Sequence, residues 1–225
     1  MSQEVWQMKK DQNQILKTNF YMPKVSSDGE NLIVGFEVSD KATYEKLYSI
    51  PTVPCPKTTS SGITIGIGYD CSTVTKSQLY IDWSDFLTGD QLDRLAEIMQ
   101  LTGEDAYNKL NTVNDIVIQW DEALGEFSRE LDKFYNICAN AFPNFENSPQ
   151  CVIDIIVSLV YNRGASVVGS SRSEMLNIKN DISSSNWNDI PTQIISMKRL
   201  WPNIQGLCDR RDAEAQFLIN GLKLI

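Results

Sequence analysis

The 225-residue chain contains no histidine. That absence removes Ser-His-Asp and Cys-His catalysis, the HExxH zinc site and every imidazole general base. Proton transfer near neutral pH falls to Asp and Glu, with Cys, Lys and Tyr as the remaining candidates. Cysteine is scarce: Cys55, Cys71, Cys138, Cys151 and Cys208 are the five, and no two form a CxxC pair. A structural zinc site is not expected, and no metal or other cofactor is called for. The odd count in a chain of this length speaks against a disulfide framework. Reduced thiols are expected, with a Cys55–Cys71 bridge as the minority reading. No apolar run approaches 18 residues, so no membrane span is expected, and MSQEVWQMKKDQNQ lacks the apolar stretch of a classical signal peptide. Positive charge is in deficit: 20 Lys and Arg face 29 Asp and Glu, a net charge of −9. Nucleic acid and anionic membrane surfaces are therefore poor partners.

What is present is an ordinary globular composition, 42% hydrophobic and 22% charged, at a length that supports a stable core without staples. Residues 1–30 are polar, weakly periodic and end in the loop-like KVSSDGEN. They read as an N-terminal extension, with the domain proper over 31–225. Apolar spacing from Leu32 to Ile50 predicts a helix, whole or interrupted, closed by Pro51, Pro54 and Pro56. Residues 62–70 alternate as a strand. Helices follow, starting with a capping box at Thr88 and Gln91. A long amphipathic stretch runs from Asp121 to Phe142. The apolar CVIDIIVSLVY then reads as the core helix, with Ser148 as cap, Pro149 at its first position and Gly164 at its end. A second capping box falls at Ser171 and Glu174, and a closing helix covers 207–222. One small β element and six to eight helices make an α+β domain dominated by helix.

The segment SGITIGIGYD (61–70) stands out. Strand periodicity puts Ile63, Ile65, Ile67 and Tyr69 on one face and Thr64, Gly66, Gly68 and Asp70 on the other. The second face is polar at both ends and stripped of bulk in the middle, which suits a bulky polar ligand. Six extended residues span about 20 Å, too far for Thr64 and Asp70 to share one water. The segment must bend, and Gly66 and Gly68 are where it bends most easily. A hairpin-like turn that returns Asp70 to Thr64 is predicted. On spacing alone the plain alternative is a tight turn in which Asp70 is only a turn residue or cap. A dinucleotide fingerprint fails, because its third glycine position is Cys71 and no βαβ unit follows.

FEV, YEKLY and SGITIGIGYD, followed in order by SLVYNRGA (158–165), SRSEM (171–175), MKRLW (197–201) and GLCDRRDAEAQF (206–217), resemble the lysozyme-like muramidases. The similarity is greatest to the pesticin-type branch and more distant to the phage T4-type lysozymes, and it covers nearly the whole chain beyond residue 31. It implies a lysozyme-like α+β domain with a small β-hairpin and a helical lobe. It also implies peptidoglycan glycan strands as the partner of a monomer. In that family a Glu at the end of the first helix acts with a Thr and an Asp. The matching positions are Glu37, Thr64 and Asp70, in the pesticin-type order, with Glu45 as rival for the Glu. Tyr69, Asn162 and Arg163 are the implied substrate-binding residues. The plainer readings are core packing for Tyr69 and Trp201 and helix-end contacts for Asn162 and Arg163. Arg172 reads as an exposed cap neighbour, with a place in the cleft as the alternative, and Arg210 with Glu214 as a surface i,i+4 pair. Either Arg210 or Arg211 could instead orient Glu37.

The implied reaction is hydrolysis of the β-1,4 bond between N-acetylmuramic acid and N-acetylglucosamine. Such cleavage needs a proton donor for the leaving oxygen and a second carboxylate. Glu37 lies in the apolar run LIVGFEV, where burial would keep it protonated, whereas Asp70 in a Gly-rich turn would be wetter and ionised. The Thr64 hydroxyl can hold a water, which favours direct attack and inversion. The net charge counts against an anionic wall as substrate unless a local basic cleft offsets it. A glycan-binding module that has lost catalysis and a chitin-directed glycosidase stay open. Action on the bacterial wall implies export by a non-classical route, release by lysis or delivery as an effector.

Overall fold

The structure is a computed structural model describing residues 23–57 and 60–225; residues 1–22 of the expected extension lie outside it. In chain order the elements are α1 (Ser27–Glu37), α2 (Lys41–Leu47), β1 (Thr64–Ile65), β2 (Tyr69–Asp70), α3 (Lys76–Trp83), α4 (Gly89–Ile98), α5 (Gly103–Tyr107), α6 (Trp120–Ala141), α7 (Gln150–Arg163), α8 (Ser173–Ser183), α9 (Ile190–Ser196) and α10 (Gln205–Leu222). Ten α-helices and one two-stranded antiparallel sheet among the described residues make the predicted helix-dominated α+β fold. The helix count exceeds six to eight because α2, α5 and α9 have 7, 5 and 7 residues, too few to show a helical period. The chain divides into two compact units, one holding Tyr44–Glu126 and the other Lys24–Thr43 with Phe127–Ile225.

In the first unit the alternation of 63–69 is met: Ile63, Ile65, Ile67 and Tyr69 are all buried, as are Leu79 and Trp83 of α3 and Leu92 and Leu95 of α4. The Tyr69 ring meets the indole of Trp83 edge-on, with centroids 5.6 Å apart. The Thr88–Gln91 capping box forms as predicted: Gln91 N donates to Thr88 Oγ1 at 3.3 Å, and Thr88 N donates to Gln91 Oε1 at 2.9 Å.

In the second unit α7 is the core helix, with Val152 through Val160 buried without interruption. A helix apolar all round belongs in an interior. Asp154 and Ser158 are the polar exceptions, and Asp154 has work: it accepts from Ser26 N at 2.9 Å and Ser26 Oγ at 2.6 Å. Ser26 in turn caps α1 by accepting from Gly29 N at 3.1 Å. At Gly29 helix α1 packs tightly on α7, since a Cβ there would lie 2.6 Å from Asp154 Cβ. KVSSDGEN is thus the cap and first turn of a helix, because Asp154, 128 residues away, fixes its start.

Three helix boundaries differ from the sequence reading. Helix α7 starts at Gln150, with Pro149 as its cap residue, and the buried Ser148 hydroxyl has no hydrogen-bond partner among the described residues. Helix α8 starts at Ser173, and Glu174 bonds Arg199 instead of closing a capping box. Helix α1 starts before Leu32. Gly164 ends α7 as predicted, with φ +74° and its N–H on Val160 O at 2.8 Å. No disulfide joins any of the five cysteines, so Cys55 and Cys71 are not bridged. Among the described residues no helix is long and apolar enough to cross a membrane, and no group of three or more Cys, Asp or Glu is placed to hold a metal.

Candidate active site

The predicted fold-back occurs. Strands β1 and β2 pair antiparallel with Thr64 opposite Asp70 and Ile65 opposite Tyr69. The turn between them uses Gly66 at φ +56° and Gly68 at φ +76°, a conformation that disfavours side chains with a Cβ. Directly opposed residues project to one face with Cβ atoms about 5 Å apart, so the hydroxyl of Thr64 and the carboxylate of Asp70 are neighbours. Both are half-buried.

Asp70 is a cap, as the plain reading expects. Its Oδ1 accepts from Ser72 N at 2.9 Å and Ser72 Oγ at 2.7 Å, and Gly62 N stands 3.2 Å from both carboxylate oxygens. These donors fix the carboxylate before any ligand arrives. Thr64 is held through its backbone, which exchanges hydrogen bonds with Thr52 at 2.8 and 2.9 Å, while its hydroxyl makes one long bond to Gly62 O at 3.3 Å. Gly62 went unremarked in the sequence. Its signal was local: a Cβ there would lie 2.9 Å from Asp70 Oδ1.

Glu37 is the last residue of α1, in the second unit. The burial expected from LIVGFEV is absent: Ile33 and Val34 face the core, whereas the Glu37 side chain is 25% exposed and its Oε1 accepts from Arg210 Nη1 at 2.9 Å. Glu37 shares the face of Ile33 and Val34, four and three residues back, but it is the last residue of the helix, where its carboxyl stays partly open to solvent. Glu45, the rival, is exposed on α2.

Arg210 is not part of a surface pair. Arg210, Arg211 and Glu214 are 4%, 0% and 0% exposed. The i,i+4 spacing places Arg210 beside Glu214 but does not say which face of α10 is covered. Glu214 accepts from Arg210 Nε at 3.2 Å, Arg211 Nη2 at 2.9 Å and Ser158 Oγ at 2.6 Å. Arg210 Nη2 donates to Ser158 Oγ at 3.4 Å. Two buried guanidiniums share one buried carboxylate, and the partly exposed Glu37 carboxyl is the second acidic partner of Arg210. Burial pushes the Arg211 guanidinium down, with Glu214 opposing. Ser158 and Glu214 lie inside motifs quoted above, but only the fold reveals that they bracket Arg210.

Tyr69, expected to bind substrate, is a core residue instead. It is 7% exposed, and its hydroxyl donates to Asp82 Oδ2 at 2.8 Å. Burial and that bond push the hydroxyl well up. Asn162 is half-buried on the last turn of α7. Arg163 donates from Nη2 to Ser171 O at 2.7 Å and lies 5.3 Å from the Trp201 ring centroid. Arg172 is half-buried and donates from Nη1 to Arg163 O at 2.5 Å, tying down the end of α7.

A helix-dominated α+β fold, a Thr–Asp hairpin and a Glu closing the first described helix define a lysozyme-like domain. The family described as "Pesticin: Bacterial toxin homologue of phage lysozyme, C-term" matches residues 38–188, about two thirds of the sequence. The chain belongs to this family of lysozyme-like glycoside hydrolases. The match takes in Thr64, Asp70, Asn162 and Arg163, begins one residue after Glu37 and ends before Arg210 and Glu214. Nothing matches among curated proteins. A lysozyme-like family implies peptidoglycan as the substrate class and the cell wall as the place of action.

Proposed function

We propose that this domain is a peptidoglycan N-acetylmuramidase that hydrolyses the β-1,4 bond between N-acetylmuramic acid and N-acetylglucosamine. Glu37 donates the proton to the leaving oxygen, and Asp70 with the Thr64 hydroxyl positions the attacking water. The observation that carries this reading is the hairpin register: Thr64 stands opposite Asp70, and Asp70 is already fixed by Gly62 and Ser72. A carboxylate aimed in advance, beside a hydroxyl with only one long hydrogen bond, suits capture and orientation of a water. Arg210 supports the Glu37 role by restricting where its carboxyl can point.

The reaction is a single displacement with inversion. One water proton passes toward Asp70, the water oxygen forms the new bond to the anomeric carbon, and the sugar–oxygen bond breaks as Glu37 protonates the departing oxygen. The domain acts as a monomer with no cofactor. The test is clearance of purified peptidoglycan with mass spectrometry of the fragments. Glu37→Gln and Asp70→Asn should each abolish reducing-end release while keeping the wild-type melting temperature within a few degrees. Wild-type lysis by both variants overturns the site, and retention of anomeric configuration overturns the single displacement.

A further inference from the structure

Arg163 ends the core helix with its charge poorly answered. Its Nη2 donates to Ser171 O at 2.7 Å, but Nε and Nη1 are shut away from solvent with no acceptor among the described residues. Buried charged donors left unmade are costly, and a bound ion or ligand is one thing that completes them. The neighbours do not answer the charge. Arg172 lies against the Arg163 carbonyl at 2.5 Å, and Arg211 shares the Trp201 ring with Arg163, at 5.9 and 5.3 Å from its centroid. The nearby acids are engaged elsewhere: Glu174 binds Arg199, and Glu214 binds Arg210 and Arg211. Burial, then Arg172 and Arg211, push the Arg163 guanidinium down to about 10. In a chain of net charge −9 this is a local surplus of cations. Arg172 is only half-buried, and its bond to the Arg163 carbonyl is its one side-chain hydrogen bond among the described residues, so most of its donor fork remains open.

We propose that Arg172 and Arg163 form a subsite for substrate carboxylates, so that the domain favours glycan strands bearing acid groups over neutral chitin-like chains. Arg172 supplies the reachable planar fork, which matches a carboxylate. Arg163 supplies a fixed positive charge behind it, stacked on Trp201 and weakly screened. The subsite also answers the charge problem of an acidic protein acting on an acidic polymer. It rests on the peptidoglycan-hydrolase reading and names which feature of that polymer is held.

The test reads binding without cleavage. Full-length protein carrying Glu37→Gln is pelleted with purified peptidoglycan sacculi, either native or with their carboxyls amidated by carbodiimide coupling. Amidation should weaken binding about tenfold, the loss expected for a charge-assisted hydrogen bond. Adding Arg172→Gln should weaken binding to native sacculi by a similar factor and make it insensitive to amidation. Arg163→Gln should act likewise, with its melting temperature recorded; if it fails to fold, Arg172→Gln alone decides. The proposal is overturned if the parent protein ignores amidation, or if Arg172→Gln keeps the full parental sensitivity. Binding that falls only when wall phosphates are stripped also overturns it, because phosphates survive amidation. Protein that cleaves sacculi but ignores amidation sinks the subsite alone, whereas wild-type protein that binds acid sacculi and cleaves none sinks the hydrolase reading alone.

Discussion

Replacing Arg210 by Lys separates holding Glu37 from merely placing a charge near it. Arg210 spans three partners from one planar group: Glu37 at 2.9 Å, Glu214 at 3.2 Å and Ser158 at 3.4 Å. A lysine ammonium is a point charge on a flexible stem and cannot reproduce that fork. Glu214 keeps Arg211 at 2.7 Å, so the most deeply buried acid is not orphaned. The stability loss should therefore stay near one or two charge-assisted hydrogen bonds, roughly 1.5–3 kcal/mol, below the full cost of breaking a buried pair. The rate should suffer more. A misplacement of about 1 Å at a reacting group costs on the order of a hundredfold, so kcat should fall about that much with KM little changed. Urea denaturation measures the first effect, and initial rates of wall clearance at several substrate concentrations measure the second. Arg211→Lys is the control, since its guanidinium contacts Glu214 but has no bond to Glu37. It should lose comparable stability with a much smaller change in kcat. A folded Arg210→Lys protein that clears walls within twofold of wild type would refute the claim that this arginine sets the working position of Glu37.

Other substitutions probe the hairpin and the second unit. Gly66→Ala must adopt φ +56° and place its Cβ 2.6 Å from Trp83 Cη2; left-handed strain plus overpacking predicts about 2–4 kcal/mol of destabilisation by chemical denaturation, and a loss under about 1 kcal/mol contradicts the packing argument. Gly62→Ala would press on Ser72 and on Asp70 Oδ1 at 2.9 Å, so wall clearance should drop about tenfold or more through misalignment, and full activity in the folded variant counts against Asp70 as a positioned group. Glu30 has its carboxyl raised by burial, with a bond from Ser128 opposing and Asp132 adding to the rise. A raised folded value means that stability is fully present below the unfolded value of 4.5 and is lost as pH rises through the folded one. Glu30→Gln should therefore raise the melting temperature at pH 7 and not at pH 3; an equal effect at both would exclude ionisation as its cause.

The hairpin was readable because its causes are local. Two glycines, an alternating apolar row and the reach of an extended chain together require the chain to return, and Asp70 must come back with it. The Thr88–Gln91 cap and the Gly164 stop were readable for the same reason. The failures are all non-local. Nothing in KVSSDGEN tells of Asp154, which starts α1 there, and nothing near Glu174 tells of Arg199, which draws it away from a cap. Glu37 was expected to be buried because its neighbours in sequence are apolar, yet the helix turns it toward Arg210, which lies 173 residues on. DRRDAE looked like a solvated face for the opposite reason: its residues are polar, yet Arg210, Arg211 and Glu214 pair in the interior while Asp209 and Asp212 stay exposed. An aromatic beside a candidate acid carries no mark of which way its ring faces, and the Tyr69 ring turns into the core.

Helix α1 is pinned at both ends to the same support. Ser26 is tied to Asp154 of α7 at its start, and Glu37 is tied to Arg210 of α10 at its finish, with Ser158 and Glu214 joining α10 back to α7. The eleven residues of α1 therefore act as a gauge of fixed length and phase. One residue added or removed between Ser26 and Glu37 would shift the acid by about 1.5 Å along the axis and swing it by about 100° around it. Substitutions on the exposed side of α1 should be freely tolerated, whereas its residue count should not vary in any working descendant of this sequence.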